Sequence, residues 1–129
     1  MIGITQYLQA VYEDLQTYVD NDVCLCKLKE LNFEAGALPD YEDINIQRLY
    51  LLRYSFAYAF EYSRMYLNVL SKMDDVNSIS VTSVGCGSMI DYWALVHALE
   101  MKSKIDCNIR YVGIDEIDWN YKIPQRQND

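Results

Sequence analysis

The chain has a single histidine, no basic stretch at its amino terminus, and no apolar run long enough to cross a bilayer. The opening residues, MIGITQYLQAVYEDL, acquire acids early and lack the positive start of a secretory signal. A cytoplasmic chain without membrane attachment is therefore expected. Basic residues are scarce: 11 Lys and Arg stand against 19 Asp and Glu, a formal net charge of −8. A surface of that sign repels a phosphate backbone, so no direct nucleic-acid binding is expected of this segment. There is no internal repeat and no low-complexity segment. The four cysteines are Cys24, Cys26, Cys86 and Cys107, and their spacing fits no metal motif. Cys24 and Cys26 lie too close together for a zinc knuckle. No metal site is expected, and the thiols are expected to be reduced and partly buried. His97 falls inside an apolar pattern with no catalytic companion, which marks a packed or surface histidine.

What the chain does have is the material for a core. Hydrophobic residues make up 51% of 129 positions, which suits one domain and excludes disorder. Ile4, Leu8, Val11, Leu15 and Val19 mark one face of an amphipathic helix, with Glu13, Asp14 and Gln16 on the other. Thr5 or Gly3 begins it. Asp20-Asn21-Asp22 ends it and can cap a second, short helix through Cys24, Leu25, Leu28 and Leu31. The loop from Asn32 to Pro39, broken by Gly36, is the best boundary in the chain. It separates an amino-terminal helical hairpin (1–38) from the remainder (39–129), although the two can form one structural unit.

A long helix is expected from about Ile44 to Lys72, capped by Asp40 or Asp43. Along it Tyr50, Tyr54, Tyr58, Tyr62 and Tyr66 recur at every fourth position. A four-residue step overshoots one turn by about 40°, so these tyrosines form a slowly winding ridge. Leu49, Leu52, Phe56, Phe60, Leu67 and Leu70 lie around it, and the helix is expected to be largely buried or to sit between neighbours. Spacing of this kind favours helix packing. A substrate or partner surface is the alternative, because tyrosine offers contact area with a polar tip.

The segment from Ile79 to Trp119 organises the rest. Ser80 to Val84 is short and rich in β-branched residues, as a buried parallel strand should be. Gly85-Cys86-Gly87-Ser88 breaks it. Asp91 to Met101 carries apolar residues at helical spacing, and Ile109 to Ile114 is a second strand that ends at Asp115. This is a strand-helix-strand crossover, whose ligand belongs outside the carboxyl ends of the strands. Gly85 and Gly87 let a ligand approach bare backbone. The helix start offers unpaired N–H groups and a positive dipole end, which suit a carboxylate or a phosphate, and Asp115 can accept hydrogen bonds from a ribose. A nucleoside with a charged tail suits this constellation. An ordinary turn that needs glycine for its geometry is the alternative. Beyond Trp119 a brief turn through Pro124 is expected, and Gln125 to Asp129, without an apolar anchor, is expected to fray.

VTSVGCGSMIDYWAL resembles the first motif of the class I S-adenosylmethionine-dependent methyltransferases, and YVGIDEIDW resembles the second. The resemblance covers about a third of the chain. It departs from the family at Ser83, where an acid is usual, and at Met89, where a third glycine is usual. A dinucleotide fingerprint fits less well, because its third glycine would be Ile90. The resemblance implies an α/β fold in which a helical amino-terminal segment leads into the first βαβ unit of a Rossmann-like sheet. That sheet is expected to be incomplete within this chain. The resemblance further implies S-adenosylmethionine as cofactor, with Gly85 and Gly87 at its methionine end, Asp91 facing its amino group and Asp115 on its ribose. The expected function is the cofactor-binding part of a methyltransferase acting on an unknown methyl acceptor. The alternative is a non-catalytic interaction protein that pairs with itself or with a partner enzyme. Either way the open strand edges predict self-association or a partner subunit.

Overall fold

The computed structural model describes residues 3–17, 25–26, 30–33, 38–127 and 129. It contains five elements in the order α1 (Ile4–Thr17), α2 (Ile44–Leu70), β1 (Ser78–Val84), α3 (Ile90–Met101) and β2 (Asn108–Ile114). β1 and β2 pair in parallel, with Ser78 opposite Asn108 and Val84 opposite Ile114. The protein is thus a small mixed α/β fold built on one strand-helix-strand crossover. The second helix expected through Cys24, Leu25, Leu28 and Leu31 falls largely outside the described residues.

α1 buries Tyr7, Leu8, Val11 and Leu15, close to the expected stripe; Val19 lies outside the described residues. α2 begins where Asp43, in extended conformation, accepts a 2.8 Å hydrogen bond from the Asn45 N–H. Asp40 instead shapes the turn before the helix, accepting from the Glu42 N–H at 2.9 Å. The buried residues of α2 include Leu51, Ser55, Ala59, Ser63, Tyr66 and Leu70. Phe56 and Phe60 are 55% and 63% exposed, so the helix is not largely buried but sits between its neighbours α1 and α3. Small side chains allow closer helix approach than phenylalanine does, and α3 is the main neighbour of α2.

α3 is the most enclosed element: Tyr92 through Val96, Ala98 and Leu99 are all buried. His97 stacks on Trp93 with ring centroids 4.9 Å apart. The sheet is less covered than a parallel pair should be. Ile109, Tyr111 and the half-buried Ile79 and Val81 belong to the core. On the other face Val84 is 82% exposed, and Val112 and Ile114 are also exposed. The expected buried strand is therefore covered on one face only, because the helices of the described core lie together on one side.

Two further expectations are corrected. Cys26 is disulfide-bonded, whereas Cys86 and Cys107 are free thiols. Arguing from compartment describes the average thiol and not the placement of one pair. The segment expected to fray is instead anchored by polar contacts. The Arg126 guanidinium donates to the Ile105 carbonyl at 3.0 Å, to the Cys107 carbonyl at 2.8 Å and to both Asp129 oxygens at 2.7 and 2.8 Å. The buried Tyr92 hydroxyl donates to Asp129 and accepts from the Arg126 N–H at 2.9 Å. Ile123, 1% exposed, donates its N–H to the Ser88 carbonyl at 2.9 Å. Buried carbonyls and a buried hydroxyl require partners, and this segment supplies them.

Burial drives the Asp129 carboxyl upward, but hydrogen bonds from Arg126 and Tyr92 and the guanidinium charge outweigh it, leaving the group below its ordinary value of 3.8. Its contribution to stability is present above the unfolded-state value and is lost as pH falls through the folded one. The melting temperature should therefore fall on acidification between about pH 5 and pH 2, and Asp129→Asn should flatten part of that fall. Arg126→Ala should cost roughly 1.5–3 kcal/mol in urea unfolding at neutral pH, from the loss of charged hydrogen bonds.

Candidate functional site

The site begins where β1 runs out. Gly85 and Gly87 have φ of 69° and 52°, and Met89 has φ of 66°. These positive angles fold the chain sharply between Val84 and the first turn of α3. The Gly85 and Cys86 N–H groups donate to the Ile114 carbonyl at 2.7 and 3.2 Å. That ties the turn to the end of β2. A Cβ on Gly85 would meet nothing within 4 Å, so the backbone there borders open space.

Asp115 closes the arrangement. One carboxylate oxygen accepts the Gly87 N–H at 2.7 Å and the other accepts the Ile117 N–H at 2.9 Å. The glycine turn and the acid therefore lie at the same end of the sheet and in direct contact. Each oxygen retains acceptor capacity beyond that one bond. Asp91, in the first turn of α3, accepts the Tyr111 hydroxyl at 2.8 Å. Gly85, Gly87, Asp91 and Asp115 all line one cavity of about 510 Å³. A second cavity of about 500 Å³ includes Met89, Gly113, Glu116 and Ile117 in its lining. Cys86 and Asp115 border both cavities. The Cys86 thiol is pushed upward by burial and by the charges of Asp115 and Asp91, so it is a poor nucleophile.

Several contributors are illegible in the strand-turn-helix motif itself. Tyr50, Tyr58, Tyr62 and Tyr66 of α2 form a wall of the first cavity, so the ridge serves a surface as well as helix packing. Gly113 sits mid-strand, and a Cβ there would lie 2.8 Å from the Cys86 sulfur and 3.1 Å from the Tyr111 ring. Glycine inside a strand often marks such a close approach. Trp119 lies against Gly87, its ring edge 3.6 Å from where a Cβ would stand. Trp119 reaches the cavity because Gln47, fully buried, holds the loop that carries it. The Gln47 amide donates to the Tyr41 and Asp118 carbonyls at 2.9 and 3.3 Å, and its oxygen accepts the Asn120 N–H at 2.9 Å. The Trp119 indole N–H and the Ser55 hydroxyl, both on residues bordering this cavity, are buried with no hydrogen-bond partner among the described residues.

The first cavity has two carboxylates and no Lys, Arg or His in its lining. That sign opposes a phosphate and suits a ligand with a cationic group. Among the described residues no cluster of His, Cys, Asp and Glu could hold a metal ion, and no helix is long and apolar enough to cross a membrane. No protein-family model, curated protein or solved structure matches the chain.

Asp115→Ala should cost about 1–3 kcal/mol in chemical unfolding, since it strands two turn N–H groups. Asp115→Asn, which keeps one acceptor oxygen, should cost less. Equal stability of both variants and the parent would show that the turn holds without the acid.

Proposed function

We propose that the chain binds S-adenosylmethionine at the β1–α3 turn, as the cofactor-binding part of a methyltransferase with a Rossmann-like scaffold. The observation that carries this reading is the position of Asp115 between two cavities, with the glycine turn and Asp91 in one of them. A nucleoside with a charged tail has that form: a ribose at the centre, a base on one side and the tail on the other. Asp115 would accept from the ribose hydroxyls. Gly85 and Gly87 would admit the tail against bare backbone, and Asp91 would face its ammonium group. The lack of basic side chains around the first cavity favours this ligand over a dinucleotide, whose pyrophosphate would meet two carboxylates. When bound, the cofactor supplies an electrophilic methyl group. The residues here bind and orient it, and holding both reactants in line supplies much of the acceleration in such a transfer.

An association role has its own support. A groove of about 380 Å³ bordered by Phe56, Phe60, Leu67, Trp93 and Met101 is open at the surface, and one face of the sheet is uncovered. We propose that the chain self-associates or takes a partner subunit through these surfaces. Light scattering across a dilution series should show mass above that of a monomer at high concentration; a monomer throughout would remove self-association.

Calorimetry of S-adenosylmethionine and its demethylated product tests the cofactor reading. Weak but measurable binding is expected. Asp115→Asn should reduce it by about tenfold or more, as the loss of a charged acceptor does. Asp91→Asn should reduce it as well, and NADH should not bind. Absence of binding by the parent chain at millimolar cofactor, or equal affinity in both variants, would overturn the assignment.

A further inference from the structure

The tyrosine wall is longer than one charged atom needs. From Tyr50 to Tyr66 the helix rises about 24 Å, and four of its five ridge tyrosines line the first cavity. The rings from Tyr50 to Tyr62 form a continuous series: Tyr50–Tyr58 and Tyr58–Tyr62 centroids lie 6.4 and 6.0 Å apart, and Tyr54 stacks on Tyr58 at 5.7 Å. Burial first, and the charge of Asp91 next, push the Tyr66 hydroxyl up to about 12 and raise that of Tyr62. That part of the wall is neutral and aromatic at physiological pH. Opposite charge is also available, because the hydrogen bonds to Asp91 and Asp115 come from a neutral hydroxyl and from backbone N–H groups. No cation lines this cavity; Lys122, whose charge acts on Asp115, lines the second one.

We propose that the α2 tyrosine wall, in the field of Asp91 and Asp115, is a binding site for a small organic ammonium ion in the cavity that the cofactor reading also uses; the proposal does not rest on that reading. Aromatic faces attract a cation through the ring quadrupole, most strongly where water is excluded. A quaternary or alkylated ammonium sheds its water more readily than a metal ion and gains from ring contact as well as from charge. The cavity, at about 510 Å³, lies within the range of small-molecule sites. An anionic ligand is opposed by both carboxylates, and a neutral ligand gains nothing from them.

The test is calorimetry of the whole chain with choline and with its uncharged isostere 3,3-dimethylbutan-1-ol. The pair has the same shape and differs in charge. Choline should bind about tenfold or more tightly than the isostere, as a desolvated cation–π site requires. Tyr58→Leu and Tyr62→Leu should each weaken choline severalfold. Tyr62→Phe should retain choline, because the ring face is the ligand. This variant keeps the test valid if the leucine substitutions unfold the chain. Equal affinity for the two probes, or no choline binding, would overturn the proposal. So would unchanged choline affinity in Asp91→Asn, since the opposing charge would then come from elsewhere. Choline discrimination without any S-adenosylhomocysteine binding would support the ammonium site and remove the cofactor reading, so the two stand or fall on different measurements.

Discussion

The Asp115 carboxylate, shared between the Gly87 and Ile117 N–H groups, is the interaction on which the candidate site depends. It joins the turn that leaves β1 to the loop that leaves β2, where neither strand has a further neighbour among the described residues. Without that bridge the positive-φ turn would keep its bonds to the Ile114 carbonyl and the packing of Cys86 against Gly113 as its contacts with β2. With it, the floor between the two cavities is a single hydrogen-bonded surface. The same carboxylate that could receive a ligand therefore already holds backbone in place, so its two roles, support and recognition, draw on different lone pairs of one group.

The sheet end was legible because its physics is local. A short run rich in β-branched residues marked the first strand, glycines marked the turn, and an acid at the tip of the second strand could be placed before any contact was known. Asp43 could be nominated as a cap from its place just ahead of the helix, but choosing between it and Asp40 required geometry. What stayed illegible was non-local. Nothing near Phe56 or Phe60 distinguishes an exposed phenylalanine from a buried one; the outcome was decided by α3 packing beside the small residues of α2. Nothing near Arg126 shows that Ile105 and Cys107 will present carbonyls to it. The tyrosine ridge was visible as a pattern, yet only the fold could set it facing the glycine turn.

Polar anchoring recurs on the loop side of the molecule. Gln47 holds the loop on either side of Trp119, and Arg48 donates to the Tyr121 hydroxyl. That hydroxyl in turn donates to Asp14 of α1 at 2.8 Å, while Tyr7 of α1 donates to the Tyr121 carbonyl at 2.8 Å. A chain with few basic residues has thus committed Arg48 and Arg126 to internal polar anchoring. The result is a fold whose helices and irregular segments are joined by satisfied polar groups at sites where apolar packing is thin. Such networks specify one arrangement by the penalty for leaving any member unpaired.

Gln47 also has a mechanical consequence. Because its amide reaches both Asp118 and Asn120, the Trp119 loop is coupled to the same helix that carries the tyrosines. Two walls of the first cavity, the tyrosine helix and the Trp119 loop, are therefore joined through one buried side chain. The same loop is tied to the glycine turn by the Asp115–Gly87 and Ile123–Ser88 hydrogen bonds. Movement of any one of these walls away from the others would break one of these bonds, so the cavity is braced like a frame whose sides hold one another.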